Sequence, residues 1–405
     1  MFKVTFKFEN GEDVTTFAQE GEILLEVARK TNVAIDAPCS GNASCGKCKV
    51  KLVAGEMNSP KTRHISDEEY AEGWRLACVS KLTGDVEVQV PDIASAYRSR
   101  MKVADLSSKE EIAIFDQAKS DVEAAGITLK NSLDIIHVTM DEPTLDDTMP
   151  DNERLMRAIK RETGVKRVRL PYSALRKISV VFRENHFDVQ CIVRRTANDI
   201  FVYDVYGRDE KVVIGGLAID IGTTTVSALL VNMQTGEILG KASAGNGQIR
   251  YGADVINRII ESMKPGGSEK LQDAVVNETI NPMIEQMCRS CGFSPLHIYR
   301  MCIASNTTMN HLLTGMNGDP IRMEPYIPTF YKTNSLFASD IGIRVNPDAH
   351  IILAPNIGSY VGGDITAGTL VSMLWNRPEF SLFIDLGTNG ELVFGNSDFM
   401  MSCAC

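Results

Sequence analysis

The chain opens on Phe2-Lys3-Val4-Thr5-Phe6-Lys7-Phe8, which alternates apolar and polar residues like a half-buried strand. Residues 5–8 and 13–16 flank Glu9-Asn10-Gly11-Glu12, and Asn-Gly between alternating segments predicts a hairpin. Residues 23–31 put Leu24, Leu25, Val27 and Ala28 on or near one face, predicting a short amphipathic helix. Residues 50–53 and 86–90 read as further strands. Residues 107–125 are charged and weakly periodic, with Ile112, Ile114, Phe115 and Ala118, and predict a helical linker. Residues 153–163 read as a helix, and 189–194 with 200–206 as a hairpin around Thr196-Ala197-Asn198-Asp199. Residues 216–231 and 382–394 each run strand, tight turn, strand. Residues 303–313 run strand, polar turn, helix.

These elements predict a multidomain α+β and α/β chain. Residues 1–95 form a small sheet domain, 96–125 a linker, 126–210 a middle α+β domain, and 211–405 a nucleotide-binding domain. At 405 residues the chain is long enough for two to four domains. Its formal net charge of −10 argues against nucleic acid or an anionic membrane as the main partner. No apolar run approaches the ~20 residues of a membrane span, and the N-terminus lacks the apolar core of a signal peptide. The reading is a cytoplasmic protein, in which clustered cysteines point to metal or redox chemistry rather than disulfides.

Ten cysteines are present, and four have a telling arrangement. Cys39, Cys45 and Cys48 are spaced C-x5-C-x2-C, and Cys78 follows after 29 intervening residues. Four thiolates suit a two-iron cluster, and three on one loop let a short backbone segment wrap it. Gly41 and Gly46 permit the tight turns, so that amide N–H groups can face sulfur. Zinc is the rival reading, although its ligands usually come as two separated C-x2-C pairs; buried unligated thiols are the third. Cys288 and Cys291, with Cys403 and Cys405, make a weaker case for a second metal site. Packing of Cys288 and capping of its helix by Gly292 is the simpler account.

Asp220-Ile221-Gly222-Thr223 and Asp385-Leu386-Gly387-Thr388-Asn389 repeat Asp-x-Gly-Thr at strand ends, 165 residues apart. A glycine turn lets backbone amides approach phosphate, threonine hydroxyls add donors, and an Asp at the strand end can hold Mg²⁺ through water. Two such turns facing each other would grip a triphosphate. No Walker-type loop or dinucleotide fingerprint is present. Asn306 and Thr307 would cap a helix, with the γ-phosphate as a second role. Asp364 reads equally as an N-cap or as a cleft residue. The role of Gly247-Gln248-Ile249-Arg250-Tyr251-Gly252-Ala253-Asp254 stays open. Lys166, Arg167, Arg169, Arg194 and Arg195 read most simply as solvated surface, with a docking patch as the alternative. The chain stops about twenty residues after Asp385, where the first half took roughly 160; this predicts an ATPase domain incomplete at its C-terminus.

The first 92 or so residues resemble β-grasp [2Fe–2S] ferredoxins, the enlarged cluster loop being similar to the adrenodoxin-like branch. The two Asp-x-Gly-Thr turns resemble the phosphate motifs of the acetate kinase, sugar kinase, heat-shock chaperone and actin superfamily, with its ribonuclease H-like fold. The whole arrangement, with Asn306-Thr307-Thr308-Met309, resembles the reductive activators of corrinoid proteins. That resemblance implies ATP-dependent return of a partner's cob(II)alamin to cob(I) by one electron from the cluster, with Mg²⁺. It also implies a corrinoid protein as partner, a low-potential electron donor and homodimerisation. A small-molecule kinase, or an iron–sulfur carrier with a regulatory nucleotide domain, are the alternatives.

Overall fold

The computed structural model describes residues 1–405 except 9–12, 32, 34, 36, 38–40, 42, 44, 92–108, 130–131, 388–389 and 405. The N-terminal unit contains β1 (Phe2–Lys7), β2 (Val14–Ala18), α1 (Leu24–Lys30), β3 (Lys49–Asn58), α2 (Asp67–Ala71), β4 (Trp74–Leu76) and β5 (Lys81–Gln89). The sheet order is β2-β1-β5-β3-β4, with β1 and β5 parallel. Phe6 pairs with Val14, so β1 and β2 run antiparallel as expected; the Asn10–Gly11 turn itself lies outside the described residues. The apolar face of α1, Leu24, Leu25, Val27 and Ala28, is buried against Val4, Phe6, Val50 and Val88. This is a β-grasp ferredoxin-like sheet with one helix across it.

The linker helix α3 spans Lys109–Ala124. The middle unit follows with β6 (Leu133–Thr139), α4 (Asp151–Thr163), β7 (Arg167–Arg169), α5 (Tyr172–Glu184), β8 (Asp188–Arg195) and β9 (Asp199–Gly207). Its order is β6-β8-β9-β7. Leu155 and Ile159 of α4 and Ile178 and Phe182 of α5 pack with Val189, Cys191 and Val193 of β8. Ile192 points the other way and packs with Tyr203, Ile214 and Tyr299, as strand alternation requires. Tyr299 comes from the next domain, and its hydroxyl lies 2.9 Å from that of Tyr206, so the sheet's second face is a domain junction. Arg167 pairs with Asp199 at 2.6 Å, and Arg169 approaches the same carboxylate.

The third unit contains β10 (Gly215–Ile221), β11 (Thr225–Asn232), β12 (Ile238–Gly245), α6 (Val255–Ser262), α7 (Gly267–Val275), α8 (Asn281–Cys291), β13 (Ile298–Ser305), α9 (Thr307–Leu313), β14 (His350–Leu353) and α10 (Gly363–Ser372). An antiparallel meander β12-β11-β10 continues into parallel β13 and β14, the strand order of a ribonuclease H-like half-domain. Then β15 (Ser381–Leu386), β16 (Gly390–Gly395) and β17 (Met400–Ala404) form a second antiparallel meander. The strand–turn–strand repeat read from sequence is therefore a repeat of folds as well. Among the described residues, no helix is long and apolar enough to cross a membrane.

Helix α5 buries Ala174, Ile178 and Phe182 at four-residue intervals. Phe182 has no exposed surface, so Phe182→Ala should cost about 3–5 kcal/mol through lost burial and a residual cavity. Urea unfolding followed by circular dichroism checks this; an unshifted midpoint would contradict the packing.

Candidate functional site

Two sites emerge, one in each kind of sheet. In the first, Gly41 and Gly46 take left-handed φ values of 90° and 67°, as does Ala43 at 55°. A Cβ on Gly46 would fall 2.5 Å from that of His64, so only glycine fits there. A Cβ on Gly41 would meet Cys78 Cβ at 3.8 Å, which places the loop against the fourth cysteine. Ala77 N donates to Cys48 O at 2.9 Å, tying the two cysteine segments together. Cys48 and Cys78 are buried and Cys45 is half-buried; Cys39 lies outside the described residues. Among the described residues no three His, Cys, Asp or Glu side chains converge as metal ligands, and the loop contributes only part of its set to them. The loop's turns and its approach to Cys78 fit a thiolate-held cluster. Cys288 is a core residue whose thiol burial pushes up to about 11, with Cys291 adding, and Gly292 caps its helix.

The second site lies where β10, β13 and β15 end. Asp220 sits opposite Ala304 in the parallel β10–β13 ladder, so Asp220 and the Asn306 turn leave the sheet along one edge. The Gly222–Thr224 loop is closed by Gly222 N donating to Thr225 O at 2.8 Å. It is braced from behind: Asn246 Nδ2 donates to Gly222 O at 2.9 Å, and the buried Arg258 donates to the Thr223 carbonyl. These bracing bonds use carbonyls rather than the amides on which an anion would call. Asn306 caps α9 by accepting from Met309 N at 2.9 Å, while its amide nitrogen lies 3.4 Å from Thr223 Oγ1. Capping and cleft placement thus coexist in one side chain. Thr307 is buried, and its hydroxyl donates to Gly358 O at 2.6 Å. A Cβ on Gly362 would fall 2.3 Å from Asn306 Cα, so this glycine lets the α10 segment close onto the Asn306 turn. Asp364 follows in the first turn of α10, whose N-cap is Gly362. Gly387 is exposed at the tip after Asp385; Thr388 and Asn389 lie outside the described residues.

The charges explain the cleft's chemistry. Burial among its walls pushes Asp220 up to about 6, and the charges of Asp364 and Asp385 add to this, although the residue still reaches solvent. Burial likewise raises Asp364, with Asp385 adding. Glu391 is pushed up to about 7 by burial and then by Asp364 and Asp385. Sequence reading missed Glu391, although it pairs with Asp385 across the β15–β16 hairpin. Its signal was a charged residue on the buried side of β16, in step with Val393. It also missed Asn246 and Arg258, whose roles depend on where α6 and the preceding turn fold back. Carboxylates that raise one another in this way favour a nearby positive charge.

Known proteins match the chain segment by segment. Residues 7–83 match the 2Fe-2S iron-sulfur cluster binding domain, 122–211 the RACo linker region, 215–377 the RACo middle region, and 379–405 the C-terminal domain of RACo, the ASKHA domain. The class is thus a [2Fe–2S] ferredoxin domain joined to an ASKHA domain, and the chain belongs to the RACo family. It is 34% identical over 405 residues to the corrinoid activation enzyme RamQ of Eubacterium limosum, covering 97% of this chain and 60% of that protein. It superposes on a solved reductive activator for a corrinoid, iron-sulfur protein with TM-score 0.61 and 32% identity, covering 100% of this chain and 63% of that one. The N-terminal part is 32% identical over 92 residues to a component of the Na⁺-translocating NADH-quinone reductase of Pseudoalteromonas atlantica, covering 22% of each. The chain thus spans about 60% of the length of the RACo relatives it matches.

Because Asp220 and Glu391 keep protons to higher pH when folded than unfolded, they favour the fold at low pH. That contribution is lost as pH rises from the ordinary carboxylate range through about 6 and about 7. A bound cation should reverse the effect. Mn²⁺ affinity, followed by electron paramagnetic resonance, should strengthen steadily from about pH 5 to 8, and Asp220→Asn or Glu391→Gln should flatten the rise. A flat wild-type profile would contradict cation binding by these carboxylates.

Proposed function

We propose that this protein is an ATP-dependent reductive activator that returns an inactive cob(II)alamin-bound corrinoid protein to its cob(I) state. The observation that carries this reading is the pairing, in one chain, of a thiolate loop closed against Cys78 with a cleft where Asp220, Asp364 and Asp385 share a field. Cys39, Cys45, Cys48 and Cys78 would hold the [2Fe–2S] cluster, which supplies a one-electron couple, at about −400 mV in plant-type domains. The buried backbone around Cys48 and Cys78 limits water near the thiolates. The acceptor is a corrinoid protein, and a low-potential donor of unassigned identity reloads the cluster. The protein would act in the cytoplasm, as a homodimer.

In the nucleotide cleft, Thr223 and Thr224 would present amides and hydroxyls to one side of the triphosphate, with Gly222, whose amide closes the turn on Thr225, letting the backbone come close. Gly387, Thr388 and Asn389 would do so on the other, and Asn306 would reach the γ-phosphate, with Thr307 holding its turn. Asp220 and Asp385 would position Mg²⁺ through water. ATP turnover would then drive a change in the partner complex, because each ~59 mV gap makes one-electron transfer tenfold less favourable. A nucleotide can close such a gap only through different affinity for two states of the complex.

Two sets of variants test the assignment in the full-length protein. Asp220→Ala and Asp385→Ala should each lower Mg²⁺-dependent ATP hydrolysis by about 10²-fold or more while the visible spectrum of the cluster is unchanged. Cys45→Ser and Cys78→Ser should do the reverse, losing iron and leaving ATP hydrolysis in place. Unchanged turnover in both Asp variants would remove the two-loop clamp. Full iron content in both Cys variants would remove the ligand assignment.

A further inference from the structure

Arg29 stands in the last turn of α1, where an arginine ordinarily reaches into solvent, yet it is only 5% exposed. A different domain contributes to its burial. Its Nε donates to the Arg250 carbonyl at 3.2 Å, and its guanidinium lies 6.0 Å from the centre of the Tyr251 ring. Glu26 of the same helix holds Nη1 at 2.8 Å. Arg250 packs against the same ring at 4.9 Å and pairs with Glu278 at 2.6 Å. A guanidinium is costly to bury without partners, so this contact demands fitted groups on both sides.

The acceptor turn, Gly247–Tyr251, is the segment whose role the sequence left open, and it is wired to the phosphate loop. Arg258 has no exposed surface. It donates through Nε to Gly252 O at 2.8 Å, through Nη1 to Gln248 Oε1 at 3.2 Å, and through Nη2 to the Thr223 carbonyl. At the turn's other end, Asn246 N donates to Thr224 O at 2.9 Å. The turn and the loop are therefore one hydrogen-bonded body. On the far side of the contact, Leu25 N donates to Ala77 O at 3.0 Å, beside Cys78. Helix α1 thus touches the cluster segment on one side and the brace of the phosphate loop on the other.

We propose that α1 is the docking surface by which the ferredoxin-like domain seats on the nucleotide domain, through Arg29 and the Gly247–Tyr251 turn, and that docking and nucleotide binding favour each other. This rests on the nucleotide reading of the Gly222–Thr224 loop. Docking buttresses the turn, the turn fixes the loop carbonyls, and the loop amides are then set toward phosphate. By linkage, a nucleotide in the loop must tighten docking by the same factor. One guanidinium nitrogen, Arg29 Nη2, is buried without a hydrogen-bond partner, which keeps the contact weak enough to open.

The test uses the full-length protein with its cluster, comparing wild type with Arg29→Ala and the milder Arg29→Gln. An unchanged visible spectrum certifies the fold of the small domain. X-ray scattering reads compaction with and without Mg-ATP, and calorimetry reads Mg-ATP affinity. The expected result is a compact wild type that ATP compacts further, with both variants expanded and binding Mg-ATP at least about fivefold more weakly. Equal dimensions in wild type and variants would overturn the docking. Expanded variants with unchanged Mg-ATP affinity would overturn the coupling alone. Absence of nucleotide binding in wild type would overturn the nucleotide reading and the coupling with it, while scattering would still decide the docking.

Discussion

Carboxylates that meet in a cleft repel one another, and this constraint acts on the strand ends and the α10 start of the ASKHA domain. Asp220, Asp364, Asp385 and Glu391 reach one another's field from β10, α10, β15 and β16. Such a set is unfavourable as bare charge. The surrounding architecture keeps the carboxylates in reach of one another. Parallel pairing of β10 with β13 brings Asp220 and Asn306 to one edge, and Gly362 lets the Asp364 segment close on the Asn306 turn at a distance no Cβ would allow. Arg258 and Asn246 occupy the loop's carbonyls from behind, so its remaining polarity faces outward.

The cluster loop obeys a different constraint. Thiolates must be presented close together from one segment, so left-handed glycines and tight backbone bonds do what charge does in the cleft. Each site is built from residues of its own domain. What joins them is α1, which packs on the segment before Cys78 and reaches Arg250 through Arg29. Such a contact gives one domain a way to bias the state of the other.

How much of this could be read from the sequence varied with the range of the interaction. Local signals were enough for α1, for the β8–β9 hairpin and for both strand–turn–strand units, since each depends on periodicity and turn residues close together in the chain. The C-x5-C-x2-C spacing is a local signal, while Cys78 meets the loop only through the fold. Glu391 was passed over, since its burial depends on the pleat of β16 meeting a cleft built from residues far upstream. Arg258 and Asn246 carry no local signal, because only the fold of α6 and the Gly247–Tyr251 turn brings them behind the loop. Arg29 carries no local sequence signal of its partner, because its acceptor, the Arg250 carbonyl, lies in a different domain. Thr307, named with Asn306 for capping or for the γ-phosphate, directs its hydroxyl instead to Gly358 O.

Formation of cob(I) on a corrinoid protein tests the central claim most directly. With the full-length protein, excess low-potential donor and a candidate cob(II) partner, visible spectroscopy should show the cob(I) signature only when Mg-ATP and the intact Cys39–Cys78 cluster are both present. Either omission should abolish it, whereas the cluster should become reduced whether or not ATP is there. Cob(I) formation at the same rate and extent without ATP would contradict the account, leaving the nucleotide cleft without a part in the electron transfer.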